Sequence, residues 1–208
     1  MKRGSADFET YLDRLMMAES DGRDYLKNPR STALGPYQFI KGTFLYVVRR
    51  HFTDEISDKS EAEILALRTN RAFSRKVIAQ YTRELAAHLI RNELKATYGH
   101  LRLAYLLGPS GATKVLKATP QTPLRRLIST AALRANPFMS AMSASDIIAR
   151  ANRDIAMDRS KVLTDLGNWS AKARNKKGGP KIKVRCNLSR PSCRKWLALR
   201  KRKLARGG

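Results

Sequence analysis

The chain is poor in cysteine, in histidine and, towards its end, in negative charge. Cys186 and Cys193 are its two cysteines, with Pro191 between them and no His beside them. Two soft ligands do not complete a four-coordinate zinc site. The spacing suits a small disulfide loop, worth about 2–3 kcal/mol in the chain-entropy model, and equally two reduced thiols. His51, His88 and His100 are scattered, with no Glu-plus-two-His spacing on one helix, and they read as surface or helix-end residues. Gly108-Pro109-Ser110-Gly111 lacks the following Lys-Ser/Thr of a phosphate-binding loop. No metal and no cofactor is expected. Runs of about 18 apolar residues are missing, so no membrane span is legible. Met1-Lys2-Arg3-Gly4-Ser5 leads straight into a helical pattern, leaving no room for the apolar segment of a secretory signal.

What is abundant is positive charge. The 208 residues hold 42 Lys and Arg against 17 Asp and Glu, a net +25. Its distribution is uneven: the last acidic residue is Asp165, and 15 basic residues follow it, so residues 1–165 carry +10 and the remainder +15. Such a field attracts polyanions, whether nucleic acid, anionic lipid or an anionic cell wall, without choosing among them. With 42% hydrophobic residues, the chain can build one domain with a real core and an appendage.

Helical periodicity dominates. Ser5 or Asp7 can cap a first helix running to about Glu19. Residues 21–36 hold Gly22, Asn28-Pro29, Ser31, Thr32 and Gly35-Pro36, the composition of a long loop. A second helix is predicted from Tyr37, with Phe39, Ile40, Phe44, Val47 and Val48 as its apolar stripe. Ser60-Glu61-Ala62-Glu63 is a capping box opening a short helix through Arg68. Asn70 starts the longest, which keeps its period to about Leu94. Gly99 to Leu107 is apolar and stops at Gly108, and Pro109 suits the first turn of the next helix, to Ala118. Short helices are expected at 123–134 and 143–157. The expected architecture is all-α, with a helical domain over residues 5–158, a basic linker over 159–180 and a basic, Cys-containing tail over 181–208. In that tail, Lys181 to Arg185 suits a short strand and Ser192 to Ala205 a basic helix.

Glu19 breaks the first pattern. Phe8, Tyr11, Leu12, Leu15 and Met16 form an apolar stripe, and its continuation lands on Glu19. A carboxyl at a core position is desolvated, which disfavours its charged form and raises its pKa. That is what a carboxylic acid needs to donate a proton near neutral pH.

Three motifs follow in order: Glu19-Ser20, then Gly35-Pro36-Tyr37-Gln38, then Ala104-Tyr105-Leu106-Leu107-Gly108, with Asn28-Pro29-Arg30-Ser31-Thr32-Ala33 between the first two. On these, residues 7 to about 157 resemble the soluble lytic transglycosylase domain, a lysozyme-like fold that cleaves the glycan strands of peptidoglycan. The family's patterns are Glu-Ser, Gly-Leu-Met-Gln and Ala-Tyr-Asn-x-Gly, so Pro36-Tyr37 stands for Leu-Met and Leu106 for Asn. The resemblance implies that Glu19 is the single catalytic acid/base, protonating the oxygen between N-acetylmuramic acid and N-acetylglucosamine. It then takes the C6 hydroxyl proton as a 1,6-anhydro ring closes. Ser20, Asn28, Ser31, Gln38 and Tyr105 are the substrate-binding candidates that it implies.

Each of these also has a plainer role open to it. The Gln38 amide can both donate to and accept from a sugar, or hold a loop. Asn28 suits a sugar contact or an Asn-Pro turn. The Tyr105 hydroxyl suits orienting Glu19, or the ring simply packs against Leu101. Asp21 and Asp24 are candidates for a second carboxylate in a hydrolytic muramidase of the same fold, since ordinary glycoside hydrolysis uses two. A second class of function is a basic nucleic-acid-binding protein, suggested by Trp169, Trp196 and the Lys/Arg around them. A third is an inactive glycan-binding scaffold of lysozyme-like fold. The expected partners are peptidoglycan strands and, through the tail, the anionic envelope, with nucleic acid as a non-specific alternative; the expected form is a monomer. The substrate places the protein in the periplasm or envelope, although no signal is legible.

Overall fold

Apolar residues at helical spacing build α1, Arg3–Ser20, whose Tyr11, Leu12 and Leu15 are almost fully buried. Each such side chain contributes about 1.5–3 kcal/mol relative to exposure. The structure, a computed structural model, describes residues 3–164 and 166. Within them the chain is all-α, with no strand beyond isolated bridges. The Cys186/Cys193 pair, Trp169, Trp196 and the strand and helix expected in the tail lie outside the described residues.

The remaining helices are α2 (Lys41–His51), α3 (Glu61–Ala66), α4 (Arg71–Arg91), α5 (Tyr98–Lys117), α6 (Thr130–Ala135) and α7 (Ala144–Ile155). Local chemistry sets most of the boundaries. Ser60 and Glu63 close the expected capping box of α3, and the Asn70 side chain accepts from the Phe73 N–H to open α4. Gly108 breaks α5 at φ 75°, ψ 161°, with Pro109 opening the second half, as the Gly-Pro pair foretold.

Three expectations need correction. Residues 37–40 are not helical. Gln38 takes a left-handed φ of 46° and Phe39 bridges to Leu34, so the chain reaches helical geometry only after Ile40. Residues 123–134 are two pieces, a 3₁₀ turn at Leu124–Arg126 and then α6. The helical unit also outruns residue 158: Val162 bridges to Thr97, the Leu163 N–H donates to the Ala96 carbonyl at 3.0 Å, and Leu163 is buried.

The core lies where α4 and α7 pack against α5 and α1 packs against α7 and α4, with α5 and α7 sharing the most extensive contact. Arg14 on α1 donates to the carbonyls of Ile155, at 2.9 Å, and Ala156 at the end of α7. A cation placed there meets the negative end of the helix dipole. Together these contacts fix the C-terminus of α1, where Glu19 lies, against α5 and α7.

Candidate active site

The loop after α1 is folded tightly by left-handed residues and backbone bonds. Asp21 and Gly22 turn the chain with φ of 52° and 74°. Leu34 bridges to both Lys27 and Phe39, and the Gly35 N–H donates to the Leu26 carbonyl at 3.0 Å. Three arginines then bind the loop to the body of the protein. Arg68 donates to the Thr32 and Phe39 carbonyls at 2.6 and 3.1 Å. Arg71 pairs with Asp24 at 2.8 Å and donates to the Gly22 carbonyl. Arg75 joins Glu9 and Asp13 of α1 to the Tyr37 hydroxyl. Hydrogen bonds with a charged partner are about twice as strong as neutral ones, so this loop is a built wall.

Ser20 seals the corner. Its side chain is buried, and its hydroxyl donates to the Pro36 carbonyl at 2.7 Å and the Met16 carbonyl at 3.2 Å. Ser20, a substrate-contact candidate, is not among the residues that line the groove: its hydroxyl is committed inward, tying α1 to the loop.

Between the loop and α5 lies a groove of about 450 Å³, within the range of small-molecule sites. Glu19, Asn28, Ser31, Gln38 and Tyr105 all line it, so five of the six site candidates meet there. Asn28 uses its side-chain oxygen to accept the Arg30 N–H at 2.8 Å, a turn bond that leaves its amide nitrogen for other work. Ser31 accepts the Ala33 N–H at 3.2 Å and keeps its own proton. Gln38 donates through its amide nitrogen to the Leu26 and Gly35 carbonyls at 2.8 and 2.9 Å. Its nitrogen is thus spent on the loop, and the amide can offer a ligand an acceptor rather than the expected donor–acceptor pair. Tyr105 donates to the Tyr37 carbonyl, not to Glu19, and its ring packs edge-on to Phe39. Leu106 makes its part of the wall apolar.

No known family model matches the chain, and no curated protein matches it. The chemistry of the site carries the functional reading. Glu19 is 16% exposed, and burial raises its pKa against the opposing pull of the Arg102 charge and hydrogen bond, with Asp154 adding to the rise. Arg102, on α5, is itself almost fully buried and holds Glu19 on one side and Asp154 on the other. Asp24 is paired with Arg71 and Asp21 lies beside Arg23; neither lines the groove. Among the described residues Glu19 is its one carboxylate.

Arg102 and Asp154 escaped the sequence reading, although a signal existed. Arg102 interrupts the apolar run from Leu101 to Leu107 just as Glu19 interrupts the stripe of α1. Asp154 sits near the negative end of α7, where an acid without a partner is unfavourable.

Proposed function

We propose that this protein cleaves the β-1,4 bond between N-acetylmuramic acid and N-acetylglucosamine in peptidoglycan, with Glu19 as the single general acid and base. The observation that carries the reading is one desolvated carboxyl facing a groove whose other polar groups are neutral amides and hydroxyls. Neutral donors and acceptors of that kind suit sugar hydroxyl and acetamido groups.

In this mechanism the protonated Glu19 gives its proton to the bridging oxygen as the C1–O bond breaks. The positive charge developing at C1 is stabilised by the muramic acetamido oxygen. The Glu19 carboxylate, now charged, is met by the Arg102 guanidinium already hydrogen-bonded to it, which stabilises the ionised form in a site of low dielectric. The same carboxylate then removes the C6 hydroxyl proton, and O6 bonds to C1 to close the 1,6-anhydro ring. Proton transfer of this kind contributes about 10²–10⁴-fold, and an internal nucleophile adds the advantage of proximity. A hydrolytic muramidase would deliver water in place of O6. The absence of a second groove carboxylate among the described residues favours the anhydro product.

Mass spectrometry of digested sacculi tests the reading, since anhydro and reducing ends differ by one water. Glu19→Gln should abolish cleavage while glycan binding persists. Undiminished lysis by that variant would remove Glu19 from the chemistry.

A further inference from the structure

Glu19, Arg102 and Asp154 come from three different helices and form a single chain of charge around a buried guanidinium, with both carboxyls partly buried. The side chains are 16%, 6% and 19% exposed. One guanidinium nitrogen donates to Glu19 Oε1, while Nε and the other terminal nitrogen converge on Asp154 Oδ2 at 3.1 and 3.0 Å. A single cation is therefore shared by two carboxylates. Among the described residues, the other ionisable groups that act on Glu19 or line its groove are phenols, whose pKa values burial raises: Tyr11 of α1, Tyr105 of α5 and Tyr81 of α4.

Sharing has a consequence for the proton. An Arg paired with one buried acid stabilises that acid's anion, which works against a proton donor. When a second carboxylate has already neutralised the guanidinium, the first gains far less by ionising. A neutral Glu19 still accepts the Arg102 hydrogen bond through its carbonyl oxygen, so the side chain stays aligned in either protonation state.

We propose that Arg102 and Asp154 form a clamp that positions Glu19, in which Asp154 neutralises the guanidinium and so lets the Glu19 carboxyl keep its proton until sugar binds. The proposal rests on the reading of Glu19 as the general acid, and adds to it two positioning residues that do not touch the substrate. It assigns them opposite effects. Without Asp154, Arg102 favours the Glu19 anion, and the carboxyl ionises at lower pH. Without Arg102, the nearby Asp154 charge disfavours that anion, and ionisation moves to higher pH.

The test is a carbon-detected NMR titration of the side-chain carboxyls in the full chain, with Glu19→Gln identifying the Glu19 signal. Glu19 should titrate lower in Asp154→Asn than in wild type, and higher in Arg102→Gln. If Arg102→Gln does not fold, the Arg102→Gln/Asp154→Asn double variant, whose two amides leave one fewer buried charge, should titrate above Asp154→Asn alone. The alkaline limb of the lysis profile should move with the signal, and Arg102→Lys should not restore wild-type turnover, because an ammonium cannot span both carboxylates as a guanidinium does. Coincident Glu19 titrations in wild type and Asp154→Asn overturn the clamp, whatever the enzyme does. Shifted titrations in a protein that cuts no glycan leave the clamp standing and remove the general-acid reading instead.

Discussion

Gly35 lies with its backbone against the Arg68 carbonyl, so close that a Cβ on Gly35 would sit 2.0 Å from that oxygen. The contact joins the wall of the groove to the turn that leads into α4, and it coincides with a φ of 89° at Gly35, where a side chain is strained in any case.

Gly35→Ala should therefore disturb the site without touching substrate. The left-handed conformation alone costs about 1–2 kcal/mol for a residue with a Cβ, and the clash forces residues 34–39 away from Arg68. Urea denaturation should show a loss of at least that size. Lysis should fall further than stability explains, because Gln38 and Phe39 move with the loop. A variant of wild-type stability and activity would mean that the loop has room to shift.

Much of this arrangement was legible in the sequence, for a physical reason. A carboxyl at a core position of α1, Ser60 with Glu63, Asn70 before α4 and Gly108-Pro109 within α5 are local signals, each decided by residues a few positions apart. The groove wall was not legible. Residues 37–40 carry a helical apolar pattern, yet left-handed Gly35 and Gln38 and the bonds to Arg68 hold them out of a helix. Likewise Arg68, Arg71 and Arg75 look like an ordinary solvated face until folding brings carbonyls and carboxylates to them from as far away as Glu9. Ser20 follows Glu19 directly, and helical geometry turns adjacent residues to different sides, so its hydroxyl goes to the loop rather than to the groove.

Burial of Glu19 also makes stability depend on pH, with a definite sign. The folded carboxyl has a pKa above its ordinary value of 4.5, so the folded state holds this proton more tightly than the unfolded chain does. Its contribution is complete below about 4.5 and is lost as pH rises through the elevated folded value. Glu19→Gln removes the titration. In thermal melts, the variant should gain on wild type as pH rises from 4 through neutrality, and a difference independent of pH would contradict a protonated Glu19.

Tyr105→Phe separates two uses of one hydroxyl. The donor serves the Tyr37 carbonyl, and its loss leaves that carbonyl without this partner, at a cost of about 1–3 kcal/mol. The ring contacts with Phe39 and Tyr81, at centroid distances of 5.9 and 6.0 Å, are kept. Stability should drop while the pH dependence of lysis stays in place. A displaced pH profile at unchanged stability would instead give Tyr105 a direct hold on the Glu19 proton.

Removal of residues 167–208 takes away 15 positive charges and lowers the net charge from +25 to +10. Long-range attraction to an anionic wall is screened over about 10 Å at 0.1 M salt, so adhesion that depends on those charges should weaken steeply with ionic strength. The truncated protein should bind sacculi less tightly and with a shallower salt dependence. Its turnover on short soluble glycan strands should match that of the full chain, because Glu19, Arg102, Asp154 and the groove residues all precede the cut. Co-sedimentation with sacculi across a salt series, paired with glycan assays in solution, separates the two effects. Loss of turnover on the short strands would mean that the basic segment serves the chemistry as well as adhesion.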